Sequence, residues 1–182
     1  MKVFIDCGAY TGDTIKEFFN WGSIVDDPKK YKIYAFEPNP NMQKPLLDIE
    51  SQYNNITYIS KAVWTKNKAI KFAVDKSGDP LGSTAMKSKT NIWDKFPKIT
   101  VEAIDFSAWL KQFENDEVII KMDIEGAEFP VLEKMIKDKT IHIPKIILVE
   151  FHPNKVREYT TTNKNELIQK IKDLGVNIKD WH

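Results

Sequence analysis

Four acidic residues, Asp6, Glu37, Asp123 and Glu150, each close a short apolar run, the runs being Val3–Asp6, Ile33–Glu37, Val118–Asp123 and Ile146–Glu150. Short runs of this composition read as buried strands. In open parallel sheets ligands sit outside the carboxyl ends of the strands, which is where all four acids fall. Carboxylates gathered on one rim repel each other unless hydroxyl donors, cations or a metal ion occupy the space between them. The expected ligand is therefore cationic or rich in hydroxyls.

The loop Asp6-Cys7-Gly8-Ala9-Tyr10-Thr11-Gly12 follows the first run and precedes a helical segment. Glycines there permit a tight turn and a close backbone approach, and a helix start offers N–H groups to an anion. The dinucleotide pattern Gly-x-Gly-x-x-Gly is missing, because position 10 is Tyr, and this argues against a pyrophosphate. Glu37 lies 25 residues after Gly12, where an acid can accept hydrogen bonds from both hydroxyls of a ribose. Loop and acid together fit a nucleoside without a diphosphate. Cys7 has no neighbouring His or Lys to activate it and reads as a packing residue.

These residues need a scaffold, and the chain alternates accordingly. The four runs and a fifth, Ile56–Ile59, are separated by helix-compatible segments at Thr11–Asn20, Met42–Ser51, Phe106–Phe113, Ala127–Lys137 and Lys164–Leu174. Such alternation predicts an α/β fold with a mainly parallel sheet covered on both faces. Gly175 stands at a helix C-cap position, and Val176–Trp181 reads as an edge strand. Ala62–Trp64, Ala69–Val74 and Ile99–Ile104 read as further strands. With Thr65–Lys68 as the turn, they predict an inserted hairpin, followed by an irregular loop over Asp75–Pro97.

No repeat or linker divides the 182 residues, so a single domain over 1–182 is expected. With 27 Lys and Arg against 26 Asp and Glu, no positive field is present to hold a nucleic acid. One cysteine, no apolar run of about 18 residues and no unbroken apolar start predict a cytoplasmic protein without membrane insertion.

The residues resemble the class I methyltransferases that use S-adenosylmethionine, and more closely the FkbM family. The resemblance rests on Phe4-Ile5-Asp6-Cys7-Gly8-Ala9-Tyr10-Thr11-Gly12, on Ala35-Phe36-Glu37-Pro38-Asn39-Pro40, and on Ile120-Lys121-Met122-Asp123-Ile124-Glu125-Gly126-Ala127-Glu128. Weaker echoes are Gly82-Ser83-Thr84, Ala103-Ile104-Asp105 and Val149-Glu150-Phe151-His152. It spans roughly residues 2–152 and implies a Rossmann-like three-layer sandwich that methylates an oxygen on a small molecule or a sugar. In that frame the loop Asp6, Gly8, Ala9, Tyr10 and Thr11 holds the methionine part of the cofactor. Glu37 with Pro38 holds the ribose, Lys61 and Ala62 lie at the adenine edge, and Asp123 faces both cofactor and acceptor.

Two departures from the family follow. The first strand begins at Lys2, so an N-terminal lid is expected to be missing. Only seven residues follow Gly175, so the sheet is expected to be shortened at that end, its edge covered by a second subunit in a homodimer.

Methyl transfer to an alcohol requires alignment and a base for the acceptor's proton. Asp123, Glu125 and His152 are the expected catalytic residues, with Glu128 and Glu150 nearby. Glu128 at a helix start suits a structural role better. Asp123, Glu125, Glu150 and His152 could instead hold Mg²⁺ or Mn²⁺. The metal-free reading is preferred and no metal ligand is assigned, because spacing does not establish that these groups converge. Lys87, Lys89, Lys95 and Lys98 read as solvated, and Trp93 as a residue lining an acceptor pocket. The rival readings are a non-catalytic cofactor-binding or scaffold subunit and a nicotinamide-dependent dehydrogenase, the latter disfavoured by the glycine loop.

Overall fold

The computed structural model describes residues 1–22, 24–75 and 82–181. Strand β1 (Lys2–Cys7) shows the alternation that organises the molecule. Val3, Ile5 and Cys7 enter one apolar cluster, while Phe4 enters another on the opposite face. β2 (Tyr31–Phe36), β3 (Ile56–Ile59), β7 (Glu117–Met122), β8 (Pro144–Val149) and β9 (Ile178–Asp180) complete a sheet of order β3-β2-β1-β7-β8-β9. Every pairing in it is parallel.

Helices α1 (Asp13–Phe18) and α2 (Gln43–Gln52) cover one face through Ile15, Phe18, Leu46 and Ile49. The other face carries α4 (Phe106–Leu110), α5 (Glu128–Lys137) and α6 (Thr161–Asp173), through Leu110, Leu132, Met135, Leu167 and Ile171. The result is the expected three-layer α/β arrangement. α6 begins earlier than its apolar spacing indicates, because Thr160 and Asn163 form a reciprocal cap at its start.

Register places the strand ends level. Cys7 is paired with both Phe36 and Met122, and Met122 with Val149. The next residues, Gly8, Glu37, Asp123 and Glu150, each donate their N–H to the neighbouring strand's last carbonyls, at 2.9–3.2 Å. The strand order reverses between β1 and β7, which opens a crevice at that rim.

The second sheet corrects the expected hairpin. β4 (Ala62–Trp64), β5 (Lys68–Ala73) and β6 (Lys98–Asp105) are all present, but their order is β4-β6-β5. β6 runs parallel to β4 and antiparallel to β5, so the residues after β4 connect strands that do not touch. The eight residues of β6 serve two partners at once, burying Val101 and Ala103 with Ala62, Phe72 and Val74. The segment read as an irregular loop holds the short helix α3 (Thr90–Trp93) and a bridge from Ala73 to Thr84. Its stretch 76–81 lies outside the described residues. Among the described residues no helix is long and apolar enough to cross a membrane.

Candidate functional site

An open cleft of about 660 Å³ lies at the carboxyl rim of the main sheet. Of the residues singled out from sequence, Gly8, Tyr10, Glu37, Pro38, Ala62, Asp123 and Glu125 line it. Asp6, Ala9, Thr11, Lys61 and His152 lie outside that lining. Phe36, Val63, Phe72 and Ala85 add an apolar wall that sequence reasoning did not assign. Only the second sheet's packing onto the rim brings Phe72 there.

The glycine loop is turned inward. Gly8 and Ala9 both donate to the Phe36 carbonyl at 3.0 and 2.9 Å, Gly12 donates to the Ala9 carbonyl, and Tyr10 donates to Glu37. These four N–H groups are thus used within the protein. Gly8 adopts φ 88°, and a β-carbon there would meet the Asp123 carbonyl oxygen at 1.8 Å. Gly12, at φ 83°, admits Ile49 of α2 in the same way. Both glycines serve chain packing at these points, in addition to any ligand.

Glu37 is held in a fixed pose at the cleft. Its Oε2 accepts from the Tyr10 N–H at 3.1 Å and its Oε1 from the Asn39 N–H at 2.8 Å. The Tyr58 hydroxyl donates to the Glu37 carbonyl at 3.0 Å. Burial raises the Glu37 pKa to about 7, although the two N–H bonds pull it down. Each oxygen keeps a lone pair for a further donor.

Below the rim, Asp6 is fully buried. Lys121, itself buried, stands 3.3 Å from Asp6 Oδ1 and 3.7 Å from Asp123 Oδ2, and donates to the Gly8 carbonyl at 3.1 Å. Desolvation raises the Asp6 pKa to about 6 despite the Lys121 charge. Neither Asp6 oxygen has a well-formed hydrogen bond, so the pair is an ion contact of imperfect geometry. Lys121 was not singled out from sequence. Its place one residue before Met122, on the strand face that carries Asp6 across the β1–β7 register, was the available signal.

Beside the cleft, His152 is buried and faces four carboxylates. Nδ1 lies 3.1 Å from Glu128 Oε1, while Nε2 lies 3.4 Å from Glu125, 3.7 Å from Glu150 and 3.8 Å from Asp123. A carboxylate only accepts, so Nδ1 carries the proton toward Glu128. Burial lowers the His152 pKa, but the Glu128 hydrogen bond and the charges of Glu128, Glu125 and Asp123 outweigh it and raise the pKa overall.

Glu128 also takes the N–H groups of Ile124 and Gly126 at 2.8–3.2 Å, tying the turn after β7 to α5. Its structural role thus extends to orienting His152. Glu125, at φ 57°, is bonded by the ammonium of Lys89, and its carbonyl accepts from the Thr84 hydroxyl at 2.8 Å. Lys89 is buried, which differs from its reading as a solvated lysine: Glu125 and the Gly82 carbonyl supply the partners its charge needs.

The Methyltransferase FkbM domain family matches residues 6–177. No curated protein matches the chain. The crystal structure of Methyltransferase FkbM from Methylobacillus flagellatus KT superposes with a TM-score of 0.58 at 16% identity, over 97% of this chain and 37% of that one. This chain therefore spans little more than a third of that neighbour's length, and the likeness is one of fold. With the cleft at the switch point, the acids at its rim and a family match covering almost the whole sequence, the chain belongs to the FkbM methyltransferase family.

Proposed function

We propose that the protein transfers a methyl group from S-adenosylmethionine to an oxygen of a small-molecule or sugar hydroxyl. The observation that carries this reading is the pose of Glu37. Its two oxygens are fixed by separate backbone N–H groups and retain acceptor capacity at the cleft, as two adjacent ribose hydroxyls require.

The residues present fit this donor. Among the described residues neither Lys nor Arg lines the cleft, whose charged groups are Glu37, Asp123 and Glu125, a setting that suits a sulfonium. Phe36, Ala62, Val63 and Phe72 offer an apolar wall for an adenine ring. When bound, the donor supplies a methyl group already activated for in-line displacement. Glu37 would hold and orient the ribose, and Asp123, across β1 from it, would border both donor and acceptor. Asp123, Glu125, Glu150 and His152 form the acceptor side and manage the hydroxyl's proton.

Calorimetric titration with S-adenosylmethionine tests the reading. Glu37→Ala is expected to weaken binding by ~1.5–3 kcal/mol, the range for a hydrogen bond to a charged group, with the fold retained. Unchanged affinity in the folded variant would remove Glu37 from the site. Mass spectrometry of hydroxylated acceptor panels then tests the transfer itself.

A further inference from the structure

Convergence of His152 with the acids around it changes the balance between the two readings of these groups. We propose that His152 Nε2, Asp123 and Glu150 hold a divalent cation beside the cleft, with Glu128 holding the imidazole in place. The use of this ion in methyl transfer rests on the reading above; its binding does not.

Two independent observations carry the proposal. The first is the pose of the imidazole, which is 2% exposed. Its Nδ1 is committed to Glu128, a carboxylate already saturated by two backbone N–H groups. Nε2 then faces Glu125 Oε2 at 3.4 Å, Glu150 Oε1 at 3.7 Å and Asp123 Oδ1 at 3.8 Å, and of these Glu125 is already held by Lys89. A ligating histidine whose other nitrogen donates to a carboxylate is the usual outer-sphere arrangement at metal sites. Asp123, Glu128 and His152 each place a ligand-type atom within 4.8 Å of the others. Glu128 is spent on the turn and the ring, and Glu150, which lies outside that group but 3.7 Å from Nε2, is taken as the third ligand.

The second observation is charge. Asp6, Asp123, Glu125, Glu128 and Glu150 form one connected group. Among the described residues Lys121 and Lys89 are the buried cations within it, and Lys89 is committed to Glu125. Even a protonated His152 leaves two negative charges uncompensated, and Lys155 beside Glu150 is exposed and screened by solvent. With His152 neutral as a ligand, three negative charges are uncompensated, and a divalent cation offsets two of them.

Geometry permits it. Ligands ~2.1 Å from a six-coordinate ion stand ~3 Å apart, so the Nε2 separations of 3.7 and 3.8 Å must close by less than ~1 Å. Asp123 and Glu150 are 29% and 37% exposed and can make that move. Their exposure also leaves coordination positions for water or for an acceptor oxygen. A mixed imidazole and carboxylate set favours Mn²⁺ over Mg²⁺. An acceptor hydroxyl on the ion would lose its proton to water more readily. Its oxygen then bonds to the methyl carbon, and the electron pair of the broken S–C bond returns to sulfur as a neutral thioether.

The test is Mn²⁺ titration of the whole chain, read by loss of the free-ion electron paramagnetic resonance signal, with no methyl donor present. One ion per chain is expected. Glu150→Gln and Asp123→Asn should each weaken binding at least ~10-fold, and Glu128→Gln, acting through the ring, by ~10–100-fold. Glu133→Gln, an exposed acid elsewhere on α5, should change nothing. Absence of saturable binding, or equal binding by the wild type and both ligand variants, overturns the proposal, as does equal weakening by Glu133→Gln. Calorimetry with S-adenosylmethionine in chelator separates the two claims. Donor binding without Mn²⁺ binding defeats only the ion site, and the reverse defeats only the donor reading.

Discussion

Gly8 and the Asp123 carbonyl are in such close contact that a β-carbon on residue 8 would lie 1.8 Å from the oxygen. The loop after β1 and the loop after β7 are therefore fitted to each other before any ligand enters. Sequence alone predicts that a larger residue at this glycine blocks a ligand and affects folding only modestly. The contact predicts otherwise: Gly8→Ala should destabilise by ~2–4 kcal/mol, from steric conflict together with positive φ. Urea unfolding checks it. Gly22→Ala, with nothing within 4 Å of its β-carbon, should stay within ~0.5 kcal/mol of wild type.

The Glu37 pKa of about 7 lies above the ordinary 4.5. Between those values the folded chain keeps a proton that the unfolded chain releases, so this group's contribution to stability falls as pH rises through that window. Glu37→Gln should remove the dependence, and because its amide nitrogen cannot accept from the Tyr10 or Asn39 N–H, the lost hydrogen bond offsets the gain from removing a buried charge at pH ~8. Ribose hydroxyls donating to the carboxylate favour its charged form. Donor affinity should accordingly rise with pH through about 7 in wild type and stay flat in Glu37→Gln. Unfolding midpoints and calorimetry at several pH values check both.

Lys121 stands 3.3 Å from the buried Asp6 carboxylate. Lys121→Met strands that charge and should cost ~3–5 kcal/mol. Asp6→Leu combined with Lys121→Met removes both charges and should recover most of the loss. A double-mutant cycle in urea measures the coupling. A loss in the double variant equal to the sum of the two single losses would show that the contact contributes nothing.

His152 lies beside Asp123 and Glu150 at the rim and outside the cleft lining. His152→Ala should lower turnover by ~10²–10⁴-fold while donor affinity stays within about threefold of wild type. Chelation should stop turnover and Mn²⁺ should restore it. Single-turnover methyl transfer, with donor binding measured separately, checks this. Full activity in chelator would leave His152 as a base acting without an ion.

What sequence by itself determines here is local. β-branched apolar runs specify β1, β2, β3, β7 and β8, and helical spacing specifies α2, α5 and α6, because periodicity and turn residues act over a few positions. The acids at Glu37, Asp123 and Glu150 follow from where those runs stop, and the motifs around them are enough to identify the family. Tertiary structure decides what depends on partners distant in the chain. β6 intervenes between β4 and β5 because its two edges satisfy both, which no local pattern encodes. Lys89 reads as a surface cation and Lys121 is not singled out, and only folding places carboxylates against them and removes the water. His152 is one histidine beside a proline in the sequence. It becomes the centre of a charged cluster because β7 and β8 end where α5 begins, bringing residues 123, 125, 128 and 150 around one ring.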